Sequence, residues 1–363
     1  MPELRTIRLG THRIEDPPEG EPPFLSAASG VAWSGRRLYC VGDDQATVAQ
    51  FDLDPFDVQE ALRAGQDVDV LAPGVAERII PDVLPIDPKE RASKKADFEA
   101  LTLVTPEHLA ALPDEHRREL QRRFPHGLIF MAGSGGMSWE GFRRSTCVVY
   151  SLSGDGNIVG LPARVSLEGL HEHLEQEPFL TGELNIEGVA VHGGRLVLAQ
   201  RGNSVDRDGR PAKNLLLHLS LGEVLESFYT DLAVGACELE DVREHDLGSL
   251  PLEIEGERHD VKLDFTDLDA VTADPHRRLV FTAAAEGTDG QGAAAGVIAG
   301  SAVGVLDAAG ELVTLLPLAD RSIKLEGVDA TYNPATGTID LLLVSDADDP
   351  EVPAPLMAAR LDV

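Results

Sequence analysis

The chain has 363 residues, with 31 Lys and Arg against 62 Asp and Glu, a formal net charge of −31. This surplus of acid repels phosphate backbones and anionic bilayers, so neither a nucleic acid nor a membrane is expected as partner, and a divalent cation is the natural one to seek. No apolar run approaches the roughly 18 residues of a membrane span, and the N-terminal MPELRTIRLG lacks the apolar centre of a signal peptide, which together point to a cytoplasmic protein.

In chain order, ELRTIRLG (3–10) reads as a first strand. A set of short apolar runs follows at ASGVAW (28–33), LYCVGDD (38–44), TVAQFDL (47–53) and RIIPDVL (78–84). The second set is FEALTL (98–103), LIFMAGS (128–134), TCVVYSL (146–152) and NIVGLPARVSL (157–167), with a helical insertion at 106–124 broken by Pro113. A second helical insertion at 167–176 precedes IEGVAV (186–191), LVLAQRG (196–202), NLLLHLS (214–220) and EVLESFYTDL (223–232). DRDG (206–209) within this set reads as a hairpin tip, since it lacks the closing Glu of a calcium loop. The fourth set is LDAVTA (268–273), LVFTAAAEG (279–287), SAVGVLD (301–307) and ELVTLLPLAD (311–320). The last set has three runs, LEGVDA (325–330), LLLVSDADD (341–349) and LMAARLD (356–362).

Each run is short, apolar and bounded by Gly, Asp, Asn or Pro, which is the mark of strands and turns. Four antiparallel strands repeated radially make a β-propeller. The expected architecture is therefore all-β, one propeller over residues 1–363 with five blades. The N-terminal strand would supply the strand missing from the last set and close the ring. A sixth blade remains open, because 55–97 and 235–262 are long enough to contain one. Cys40, Cys147 and Cys237 are odd in number and far apart, as expected of buried free thiols.

The first strand of each blade lines the central channel, so equivalent positions converge there. The residue before the recurring Gly or Ala is Ser29, Glu99, Glu187, Asp269 or Glu326. Two residues earlier stand Ala27, Asp97, Asn185, Asp267 and Lys324, facing the same way by the strand period of two. The ends of the second strands add Asp43, Asp44, Arg201, Asn203, Glu286 and Asp346 at the same mouth. Clustered carboxylates either raise one another's pKa or take up a cation. Oxygen ligands from several directions suit Ca²⁺, with Mg²⁺ second, and the lack of His or Cys disfavours Zn²⁺. The expected metal ligands are Asp43, Glu99, Glu187, Asp269, Glu326 and Asp346. The alternative is that these acids pair with Lys324, Arg201 or backbone amides and hold no metal.

ADFEALTLV (96–104), AGSGG (132–136), NIEGVAV (185–191) with AQRGN (199–203), DLDAVTA (267–273) and LEGVDA (325–330) with SDADD (345–349) together resemble the phytase-like esterase propellers and a related uncharacterised bacterial group. The resemblance spans most of the chain and implies a propeller with a central divalent-cation site, calcium first. Glu99, Glu187 and Glu326 match the acidic positions, whereas Ser29 and Asp269 depart from glutamate. Two functions follow as expectations. One is a metal-dependent hydrolase of an ester, lactone or phosphoester, with Asp97, Glu187 or Glu286 as base and Arg201 binding a small anionic substrate. The other is a non-catalytic propeller with a structural cation and a ligand or protein on one face.

Overall fold

The computed structural model describes residues 2–43, 45, 47–79, 90, 95–138, 140–205, 210–287, 296–346, 349 and 351–362. Strand β1 (Ile7–Thr11) precedes the first sheet, which is β2 (Ala28–Ser34), β3 (Arg37–Gly42), β4 (Thr47–Asp52) and β5 (Val75–Arg78) in that spatial order. The second sheet is β6 (Phe98–Val104), β7 (Leu128–Gly133), β8 (Thr146–Leu152) and β9 (Ile158–Ser166). The third is β10 (Ile186–His192), β11 (Arg195–Gln200), β12 (Asn214–Ser220) and β13 (Leu239–His245). A two-stranded hairpin, β14 (Ser249–Ile254) and β15 (Glu257–Lys262), leads into the fourth sheet of β16 (Asp264–Ala270), β17 (Leu279–Glu286), β18 (Ile298–Leu306) and β19 (Leu312–Pro317). The fifth is β20 (Lys324–Asn333), β21 (Thr338–Asp346) and β22 (Pro355–Asp362), and β1 is its outermost strand. The protein is thus an all-β propeller of five blades, closed by pairing Ile7 with Ala358 and Thr11 with Pro355 across the two ends of the chain.

The core explains why so many runs are apolar at every position. Each sheet is buried on both faces, and one hydrophobic cluster fills each of the five spaces between neighbouring blades. Alternate residues of one strand serve different clusters. Ala100 on β6 packs toward blade three, while Leu101 packs toward blade one with Val41, Val48 and Met131. The cluster between blades five and one joins Leu342, Val344 and Leu356 to Val31, Leu38 and Phe51, so hydrophobic burial seals the ring along with the strand pairing.

Three expectations change. The segment expected as a strand at 223–232 lies mostly in an α-helix over Leu221–Thr230, capped by Ser220 and burying Leu221, Val224, Leu225 and Phe228. That spacing of i, i+3, i+4 and i+7 is a helical stripe, not a strand alternation. The fourth strand of blade three is β13, whose sequence LEDVREH is polar because it forms an exposed outer edge. The fourth strand of blade one is β5 at Val75–Arg78, upstream of the expected 78–84, of which 80–84 lies outside the described residues. There is no sixth blade among the described residues: 55–64 is a helix (Pro55–Ala64), and the β14–β15 hairpin buries only Leu250 and Val261 against blade four. The helical insertions fall as expected, at Pro106–Ala110 and Asp114–Arg123 on either side of Pro113 and at Glu168–Glu175. DRDG (206–209) and Asp44 lie outside the described residues.

Candidate functional site: an acidic mouth of the channel

All five inner strands carry a register shift near their start, between Ala28 and Gly30, Phe98 and Ala100, Ile186 and Gly188, Phe265 and Asp267, and Leu325 and Gly327. A bulge of this kind re-aims the extra residue. The bulged residues are Ser29, Glu99, Glu187, Thr266 and Glu326. Blade four therefore departs from the expected register: Asp269 stands three residues beyond its bulge, level with Asp329 of blade five. The position two before the bulge is Ala27, Asp97, Asn185, Asp264 and Lys324, so Asp267 also shifts, and Asp264 takes the place expected for it. The reason is that Asp267 occupies the post-bulge site where three other blades have Gly.

At the mouth, Asp97 is the most heavily engaged acid. Its carboxylate accepts from Ser134 Oγ at 2.7 Å and from Arg144 Nη1 at 2.9 Å, and pairs with Lys95 Nζ at 2.9 Å. Lys95 also pairs with Asp43. Burial disfavours the Lys95 charge, but Asp43, Asp97 and Glu99 together hold its pKa above the ordinary lysine range. Asp97 has φ of 55°, a left-handed conformation that turns the chain from the loop bearing Lys95 into β6. Carboxylate oxygens of Asp43, Asp97 and Glu99 all lie within 4.8 Å of one another. Among the described residues no hydrogen-bond donor reaches Glu99. Burial, then Glu187, Asp97 and Asp43, push its pKa well above the usual carboxylate value against the opposing pull of Lys95.

The other side of the mouth is an alternation of charges. Arg201 Nη1 lies 3.3 Å from Glu187 Oε1, and its Nη2 lies 2.9 Å from Glu286. Lys324 Nζ lies 2.8 Å from Glu326, 3.7 Å from Glu286 and 3.9 Å from Asp346. Asn185 Nδ2 donates to Glu187 Oε1 at 2.6 Å. Burial pushes the Glu187 pKa up to about 7; Arg201 pulls it down, and Glu326 and Asp97 raise it again. Glu286, although partly buried, is held below the usual range by Lys324 and Arg201.

The structure thus brings together Asp43, Asp97, Glu99, Glu187, Arg201, Glu286, Glu326 and Asp346 at one mouth and sets Asp269 deeper. Asp269 accepts a hydrogen bond from the Ala330 amide at 2.8 Å, Asp267 from Val328, and Asp329 from Trp33 at 2.7 Å. These three acids bind edge amides of the next inner strand. Sequence reading missed Lys95 and Arg144 as partners of the cluster. Neither belongs to a repeated position. Arg143 turns away to a bidentate pair with Glu175 at 2.8 Å.

The chain belongs to a family of unknown function, DUF6929, whose model matches residues 24–361. No curated protein matches the sequence. Among solved structures it is similar to the glutaminyl cyclase of Myxococcus xanthus, at 12% identity and a TM-score of 0.42, over 99% of each chain.

Proposed function

We propose that this family member binds a divalent cation, calcium before magnesium, at Asp43, Asp97 and Glu99, and that the adjoining groups hydrolyse a small anionic ester, lactone or phosphoester. The observation that carries the cation is the set of three carboxylates with oxygens within 4.8 Å. Calcium–oxygen distances of roughly 2.3–2.6 Å place ligands on opposite sides of one ion about 5 Å apart, so three carboxylates at this spacing can hold a single ion once Lys95, which pairs with Asp43 and Asp97, swings away. The donors are all hard oxygens, which suits calcium or magnesium rather than zinc. When bound, the cation would polarise the scissile group and make a water more acidic.

The chain's own residues have separable roles in this reading. Glu187, with a pKa of about 7, can take a proton at neutral pH. Arg201 and Lys324 would hold the anionic part of the substrate by charge-assisted hydrogen bonds. Ser134 and Arg144 fix the Asp97 carboxylate. A second reading, a structural cation without catalysis, is favoured by the pairing of Glu187, Glu286 and Glu326 with Arg201 or Lys324.

Elemental analysis and calcium titration of chelator-stripped protein test the cation. The expected result is one ion per chain, with binding lost in Glu99→Gln. No bound metal, and a melting temperature indifferent to both EDTA and calcium, would reject it. A panel of p-nitrophenyl esters, lactones and phosphomonoesters tests the chemistry, with calcium-dependent turnover expected and abolished in Glu187→Gln. Calcium binding with no turnover across the panel supports the structural-ion reading instead.

A further inference from the structure

On the face opposite the acidic mouth, the interface of blades three and four opens into a pocket of about 220 Å³. Its walls come from the β10–β11 turn, from β12 and β13, and from the turns before β17 and after β18. Three arginines, Arg195, Arg243 and Arg277, and two histidines, His192 and His218, line it. In a chain with twice as many acids as cations, that concentration of basic groups on one pocket is unusual.

The acids present are already committed. Asp241 accepts from Arg243 Nε at 2.7 Å, and Asp307 accepts from the amides of Ala309 and Glu311 within its own turn. Arg195 is held by Glu240, outside the pocket lining, at 2.5 Å. Arg277 is exposed, and no carboxylate among the described residues pairs with it. Its backbone has φ of 53°, and its carbonyl accepts from His192 Nε2 at 2.9 Å. Two glycines make room for the guanidinium groups. A Cβ on Gly193 would lie 2.6 Å from Arg277 Nη2, and one on Gly310 would lie 2.8 Å from Arg243 Nη1.

The second, independent observation is His218. It is only 7% exposed, yet among the described residues neither Nδ1 nor Nε2 has a hydrogen-bond partner. A buried imidazole with both nitrogens unpartnered calls for a missing group. Burial keeps the ring neutral, with a pKa of about 4, and shields both nitrogens in this conformation, so a turn of the ring is what brings an N–H donor beside the arginines.

We infer that this pocket binds a phosphate group, free or as a compact phosphate monoester, through Arg277, Arg243 and His218. Arginine forks match phosphate oxygens in pairs, and the site lies on the face opposite the acidic mouth. The site does not depend on the reading of the acidic mouth.

Titration of inorganic phosphate into the full chain tests it, in chelator-treated buffer so that no cation takes part, against chloride at matched ionic strength. The expected result is saturable one-site binding, a rise in melting temperature and a shift of the His218 ring ¹⁵N signals. Arg277→Gln, at an exposed position, should leave the phosphate-free melting temperature unchanged and weaken binding about tenfold or more. Absence of saturable binding overturns the inference. So does wild-type affinity in Arg277→Gln, or a phosphate response that leaves the His218 signals unmoved.

Discussion

Asp97→Asn separates the charge of the cluster from its shape. Asn tolerates the left-handed backbone that Asp97 adopts at φ 55°, so the turn into β6 survives and only the carboxylate charge is lost. In the native protein that charge faces Lys95 at 2.9 Å and Arg144 at 2.9 Å, with side-chain exposures of 8% for Asp97, 18% for Lys95 and 17% for Arg144. Removing one partner of a buried pair costs about 3–5 kcal/mol. Lys95 keeps Asp43, which places the expected loss near the lower end, about 3 kcal/mol. An unfolding entropy of about 2.1 cal/mol/K per residue over 363 residues gives about 0.76 kcal/mol/K, so the melting temperature should fall by about 4 °C. Differential scanning calorimetry in chelator reads this directly. Repeating the scan with excess calcium adds a second arm. On the proposed cation site, calcium at about 100 times its Kd would stabilise the wild type by about 2.7 kcal/mol, and a variant lacking one ligand would gain less, so the gap should widen. A melting temperature within about 1 °C of wild type in chelator would refute the reasoning, because Arg144 would then be tolerating burial without its counter-ion.

Glu187 has a native pKa of about 7 against an ordinary value of 4.5. The folded state therefore keeps a proton that the unfolded chain releases, stability falls as pH rises between those values, and the penalty of about 3 kcal/mol is complete above pH 7. Glu187→Gln should make stability fall less between pH 5 and 8 in urea melts, with the rest of the slope left to other raised acids such as Asp329; an unchanged slope would assign the titration elsewhere. Deleting residues 2–11 removes β1 and bares the edge of β22, so the truncated chain should aggregate and be rescued by the 2–11 peptide, whereas a monodisperse product with native melting would show that burial alone closes the ring. Gly304→Ala would place a Cβ 2.0 Å from Phe281 Cζ, inside a ring stacked edge-on against Phe265. The overpacking should cost about 1–3 kcal/mol in urea denaturation, and a neutral variant would mean that the blade shifts freely.

The propeller was readable because its inner and middle strands are buried on both faces and repeat as apolar runs. The outer strands were harder, because solvent on one side leaves them polar: LEDVREH at β13 offers no alternation, while the amphipathic helix at Leu221–Thr230 offers an apolar run of the wrong period. The column was readable in the blades where Gly or Ala follows the acid. At Gly188 the reason is steric, since a Cβ there would lie 2.5 Å from the Leu268 amide of the neighbouring inner strand. Blade four replaces that Gly with Asp267, so the motif match slid three residues to Asp269. Lys95 and Arg144 were not identifiable as partners of the cluster, because irregular segments deliver them and no repeated position marks them.

The acids along the channel fall into two tiers with different physics. In the deeper tier Asp267, Asp269 and Asp329 accept the Val328, Ala330 and Trp33 amides. An inner strand presents amides to the channel that its own sheet cannot satisfy, and a carboxylate reaching over from the preceding blade satisfies them. Burial raises the pKa of all three acids, to about 7 for Asp329, which marks them as strand-linking acceptors whose charge is disfavoured. In the upper tier Glu187, Glu286 and Glu326 are matched by Arg201 and Lys324. What remains is Asp43, Asp97 and Glu99 around Lys95, with Arg144 engaged by Asp97 from behind. Three carboxylates share one ammonium, and Glu99 has no donor of its own among the described residues, so burial and the charges of Glu187, Asp97 and Asp43 push its pKa well up. A divalent ion would relieve that repulsion by taking the place of Lys95. The cation question therefore turns on the competition between one lysine and one metal ion at a single point of the mouth, and very little on the other acids of a chain whose net charge is −31.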